Sequence, residues 1–146
     1  PEGFFVPDSF TPSREPLHAA GLFYMQEPTA QLPAALLPLG DSKTPVVLDL
    51  CASPGGKAPF LAARMENRGL LIANEPVPAR AETLCRTFER LGVTNAIVTC
   101  MKPGPLCAFL AGHCDAVLVD APCSGEGMSR KDARAVLAGL TRESNA

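Results

Sequence analysis

From Val46 onward the chain alternates short apolar runs with segments of helical spacing. "VVLDL" (46–50) is a continuous apolar run around Asp49, the pattern of a strand buried on both faces. "GLLIAN" (69–74), "NAIVT" (95–99) and "DAVLVD" (115–120) read as three further strands. Between them, 56–65 predicts a helix, and 77–91 places Val77, Ala81, Leu84, Phe88 and Leu91 at spacings of four, three, four and three. That is one apolar helix face, and Gly92 ends it. A short helix is expected over 104–111 and a last one from Asp132 to Leu140. Upstream, Pro1, Pro7, Pro12 and Pro16 punctuate a stretch without sustained period, an irregular arm packed on the domain through Phe4, Phe5 and Phe10. A helix is expected from Pro28 to Leu37, with proline tolerated in its first turn and Gly40 beyond its end.

Strand–helix alternation at this spacing implies an α/β fold, a partial parallel sheet with right-handed crossovers. The expected strand order is 3-2-1-4, with an N-terminal arm and helix over 1–40 and the sheet domain over 41–146. Ligands of such sheets lie beyond the carboxyl ends of the strands, where the order reverses between strands one and four. The two most glycine-rich stretches, "CASPGGK" (51–57) and "APCSGEGM" (121–128), follow those two strands.

Composition narrows the classes. The chain of 146 residues is 47% hydrophobic and 19% charged, with a net charge of −2, which fits one globular domain. No apolar run approaches a membrane span and no signal peptide opens the chain, so a soluble, cytoplasmic protein is expected, and the initial Pro1 suggests a piece of something longer. Mild acidity gives no global nucleic-acid signal; the best basic patch, Arg130, Lys131 and Arg134, reads on its own as a solvated helix face. Cys51, Cys85, Cys100, Cys107, Cys114 and Cys123 include no C-x-x-C pair and are joined by only two histidines, so no metal site is expected and the thiols read as reduced.

A turn of small residues lets backbone approach a ligand, and the helix behind it offers free N–H groups. A P-loop is excluded because Ala58 follows Gly56-Lys57 and Cys51 stands where the first glycine belongs; the G-x-G-x-x-G dinucleotide pattern is absent. The remaining class is S-adenosylmethionine, with its amino-acid end on the turn and its ribose diol on an acid after strand two. Glu75 occupies that position, although on pattern alone it also reads as a solvated acid opening a helix. Asp49 is open between a ligand role and bracing the loop.

"YMQEPTAQLPAALL", "DLCASPGGK", "ANEPVPARAETL" with "RLGVTNAIVT", and "VLVDAPCSGEGMSRKD" resemble the RNA cytosine-5 methyltransferases, the Sun-domain family, over residues 1–132, and within it the bacterial branch acting on small-subunit ribosomal RNA. The resemblance implies a Rossmann-like class I methyltransferase fold, RNA as partner, S-adenosylmethionine as cofactor, and cofactor contacts from Cys51, Ala52, Ser53, Pro54, Gly55, Gly56, Lys57, Glu75, Arg80 and Asp120. It also implies covalent catalysis: a cysteine thiolate adds to carbon 6 of cytosine, and the resulting enamine takes the methyl group at carbon 5. Asp120 matches the acid that holds a proton at ring nitrogen 3, and Cys123 matches the cysteine that assists release.

In that family the attacking cysteine follows strand five. The chain ends 23 residues after Cys123, so the nucleophile is expected outside these residues and the piece is expected to be inactive alone. Thr99-Cys100 does not substitute, because strands three and four are three spacings apart, about 14 Å at roughly 4.8 Å each. Two departures stand out: Ala58 replaces a usual hydroxyl residue, and "CMKPG" (100–104) lacks the acid that contacts adenine, for which Asp115 lies too far along. The rival reading is a non-catalytic RNA-binding or assembly module that keeps the methyltransferase fold.

Overall fold

The computed structural model describes residues 3–121. The apolar runs form β1 (Val46–Asp49), β2 (Leu70–Asn74), β3 (Ala96–Thr99) and β4 (Ala116–Leu118), all parallel, in the order β3-β2-β1-β4. The expected 3-2-1-4 order is therefore observed. Val47 lies opposite Leu71 and Ala116, and Asp49 opposite Ala73 and Leu118. β4 is shorter than its apolar run because its partner stops at Asp49; one more ladder bond, Leu50 N–H to the Leu118 carbonyl, closes the pairing.

Helices cover the two faces unequally. The arm carries a short α1 (Pro16–Ala19), and α2 (Pro28–Leu36) follows it. α3 (Lys57–Arg64) and α4 (Pro78–Leu91) pack Ala58, Leu61, Ala62, Leu84 and Phe88, with Met65, against Val47, Leu71, Ala73 and Leu118. The opposite face holds a smaller cluster of Leu48, Leu50 and Ile72 under Leu106 of α5 (Pro103–Phe109). Of the predicted α4 face, Ala81, Leu84 and Phe88 are buried, while Val77 is exposed at the helix start. Gly92 ends α4 in the left-handed region at φ +66°, as its position in the sequence implies.

The arm departs from expectation. Phe4 and Phe5 are 85% and 91% exposed, so they do not anchor it. It folds instead around Phe23, which meets the Phe10 ring at 5.9 Å and the His18 ring at 5.4 Å. The Arg90 guanidinium at the end of α4 then ties it down, donating to the His18 carbonyl at 2.7 Å and lying over Tyr24. A four-residue helix such as α1 leaves no period to read in a proline-rich stretch. The expected helix at 132–140, the cluster Arg130, Lys131 and Arg134, and Cys123 lie outside the described residues.

Candidate functional site: the turns beyond β1, β2 and β4

The chain leaves β1 through Leu50, Cys51 and Ala52 and reaches α3 through Ser53, Pro54, Gly55 and Gly56. Gly55 adopts φ +79°, and a Cβ there would fall 2.8 Å from Leu84 Cδ1 and 3.0 Å from the Ala52 carbonyl oxygen. Only glycine fits both the backbone and the space. A Cβ on Gly56 would lie 2.6 Å from the amide of Gln26, so the segment before α2 closes over this end of the turn. Gly56 caps α3 with no side-chain hydrogen bond, which leaves the first-turn N–H groups free of side-chain partners.

Three charged groups converge on the turn. Lys57 opens α3 and pairs with Asp120, just past β4, at 2.6 Å. Two turns from different strands are thereby joined. Asp49, at the end of β1, is 1% exposed and neither of its carboxylate oxygens makes a hydrogen bond. Burial pushes it up to about 6, with Asp120 adding to the rise and the Cys51 N–H dipole and the Lys57 ammonium opposing it. The Cys51 thiol is pushed up too, first by burial and then by Asp49, Glu75 and Asp120, with Arg80 opposing, which favours its neutral form.

Beyond β2, Glu75 is 3% exposed and accepts from the Val77 N–H at 2.9 Å. Arg80 of α4 approaches Glu75 at 3.5 Å and donates to the Ser53 carbonyl at 2.6 Å, while the Ser53 hydroxyl donates to the Arg80 carbonyl at 3.1 Å. Ser53, Glu75 and Arg80 thus form one bonded unit, which the sequence places 22 and 5 residues apart. Cys51, Ala52, Pro54, Gly55, Gly56 and Lys57 surround it on the turn, and Asp120 completes the group across β1 and β4.

Other residues fall where the sequence reading left them. Asp115 sits at the opposite end of the sheet, where its carboxylate accepts the Val46 N–H at 2.7 Å. Ala58 is fully buried in the core. Cys100 leans on the Pro76 carbonyl beyond β3. Two participants escaped the sequence: Gln26 over Gly56, and Asn74, whose amide binds the chain beyond β1 and β3. A groove of about 840 Å³ runs between the arm and α3 and is lined mainly by apolar side chains such as Phe10, Phe23 and Phe60. It meets the turn only at Gln26 and Gly56.

Residues 34–139 match the family described as "16S rRNA methyltransferase RsmB/F". The chain belongs to this family. It is 44% identical over 119 residues to the ribosomal RNA small subunit methyltransferase F of Vibrio atlanticus, covering 82% of this chain and 25% of that one. The chain therefore spans about a quarter of the length of the curated relatives it matches. Among solved structures it resembles NSun6 from Pyrococcus horikoshii with SFG, at TM-score 0.69 and 30% identity over 77% of this chain and 29% of that one. A methyltransferase homolog from the same organism gives TM-score 0.73 and 28% identity, covering 92% of this chain and 47% of that one. With its parallel β3-β2-β1-β4 sheet, the fold is the Rossmann-like fold of class I methyltransferases.

Proposed function

We propose that the intact protein transfers a methyl group from S-adenosylmethionine to carbon 5 of a cytosine in small-subunit ribosomal RNA, and that the residues described here form its cofactor half-site. The observation that carries this reading is a buried, unpartnered carboxylate, Asp49, beside a glycine turn and a second buried acid, Glu75. A carboxylate without a hydrogen bond in low dielectric calls for a cationic or donor group from a ligand. S-adenosylmethionine offers one: its amino-acid end carries an ammonium and a carboxylate. Asp49 fits the ammonium, while Lys57 and the free N–H groups of α3 fit the carboxylate. Glu75, oriented by Val77 N–H and Arg80, fits a ribose diol with its remaining lone pairs. When bound, the cofactor supplies an electrophilic methyl group.

The chain's own residues do the rest. Asp120 holds a proton at ring nitrogen 3 of the cytosine, and its pairing with Lys57 keeps it beside the turn until RNA arrives. Cys123 serves in release, and the attacking thiolate comes from outside these residues. The test uses the intact protein with labelled methyl donor and small-subunit RNA, followed by nucleoside analysis. The expected product is 5-methylcytidine; methyl groups on any other atom overturn the assignment. On a denaturing gel, Cys123→Ala should accumulate protein covalently attached to RNA, because elimination is slowed while addition proceeds. Absence of that adduct, with methylation unimpaired, would remove Cys123 from the reaction.

A further inference from the structure

Asn74 ends β2, is fully buried, and uses every hydrogen-bonding capacity of its side chain. Its Nδ2 donates to the Leu50 carbonyl at 3.2 Å and to the Met101 carbonyl at 3.1 Å. Its Oδ1 accepts the Thr99 hydroxyl at 2.9 Å and the Met101 N–H at 3.1 Å. The orientation of the amide is fixed by its partners, because two carbonyls require the NH₂ and a backbone N–H requires the oxygen. Its own main-chain carbonyl accepts the Ala52 N–H at 2.9 Å. One residue therefore binds the chain beyond β1, at Leu50 and Ala52, to the end of β3 at Thr99 and the chain beyond it at Met101.

That geometry matters because of where a nucleoside must lie. With its amino-acid end at 53–57 and its ribose at Glu75, a ligand runs from the end of β1 across the end of β2, and its base falls toward the next strand in the sheet, β3. The 99–102 segment is then the wall on the base side, and both backbone polar groups of Met101 are held by Asn74. We infer that Asn74 is a positioning residue for the nucleoside, setting the distance between the turn beyond β1 and the segment beyond β3 across which the ligand is held. This rests on the cofactor reading above, and it adds a residue that touches no reacting atom.

The experiment measures S-adenosylhomocysteine binding to the intact protein by calorimetry, with thermal melting run in parallel. Asn74→Ala removes all four side-chain hydrogen bonds that set this spacing and should weaken binding about tenfold or more. Asn74→Asp offers a readout that a purely structural role would not move. An ionised carboxylate there faces two carbonyl oxygens, whereas the protonated acid can donate to one of them. Its affinity relative to the unsubstituted protein should therefore be poor at pH 8 and recover as pH is lowered to 6. Asn95→Ala is the control: a buried amide at the other end of the sheet, donating to the Arg68 carbonyl, whose loss should cost stability and leave affinity unchanged. If the Asn74 variants do not fold, Thr99→Val removes one of the four contacts and should weaken binding a few-fold. Affinity within twofold of the unsubstituted protein for Asn74→Ala, or for Thr99→Val where Asn74 variants do not fold, overturns the inference. Glu75→Ala run alongside reports on the cofactor site itself, so failure there is distinguishable from failure of Asn74.

Discussion

At the scale of single residues, burial gives Asp49 a reversed pH dependence. Its carboxyl is raised from the ordinary 3.8 to about 6, so between those values the folded chain holds a proton that the unfolded chain has released. Its contribution to stability is therefore fullest below about pH 4 and is lost as pH rises through 6, a difference of roughly 3 kcal/mol for about two pKa units. Asp49→Asn should remove that slope and raise stability at pH 7 by about 1–3 kcal/mol, measured by denaturant unfolding across pH 4–8. The same substitution should weaken S-adenosylhomocysteine binding, since the neutral amide still accepts from the ammonium but loses the opposing charge. A variant that is less stable at pH 7 would show that Asp49 is needed as a charge in the empty protein. Glu75→Ala should cost about 1–3 kcal/mol of binding if two hydrogen bonds to a charged group are lost, read by titration calorimetry. Unchanged affinity would take the ribose away from Glu75.

At the scale of elements, the joints between helices rest on side chains that reach backbone carbonyls. The Arg64 guanidinium, in the last turn of α3, donates to the Ala34 and Leu37 carbonyls at 2.5 and 2.9 Å, closing the end of α2. Arg64→Ala should lower stability by about 1–3 kcal/mol. Both bonds leave one nitrogen, Nη1, so Arg64→Lys should recover part of the loss, its ammonium having donors for both carbonyls on a shorter stem. Equal stability of all three proteins in chemical unfolding would assign α2's attachment to its apolar contacts alone. These joints also mark where reading the sequence stops. The strands were legible because each is a continuous apolar run, and α4 because its face repeats at helical spacing. The turn 53–57 and Glu75 were legible as small residues and an acid at strand ends. Asn74 and Arg64 were not, because their partners lie 24 to 30 residues away in the chain and no local pattern records a bond across that distance. Phe4 and Phe5 misled for a related reason: an aromatic pair in a proline-rich stretch has no period to say which surface it meets.

At the scale of the whole chain, the sheet has a one-sided edge. Among the described residues β4 pairs only with β1, and Val117 and Val119 are 47% and 57% exposed. An apolar strand with an unpaired ladder is a template for association. The 146-residue chain made alone should therefore self-associate, with apparent mass rising with concentration in sizing with light scattering. A sharp monomer at high micromolar concentration would mean that residues outside 3–121 guard the edge. The unequal cover of the two faces has a separate consequence, for how the molecule breathes. Three helices and a continuous cluster shield one face, while α5 rests on the other through Leu106, leaving Ile97 and Val117 about half open to water. Opening free energy follows local apolar contact, so the amide protons of 103–110 should trade with deuterium well before those of α3 and α4. The segment beyond β3 is anchored at one end by Asn74 and leads at the other into thinly packed α5, so thermal agitation should be concentrated next to the segment proposed as the nucleoside's wall.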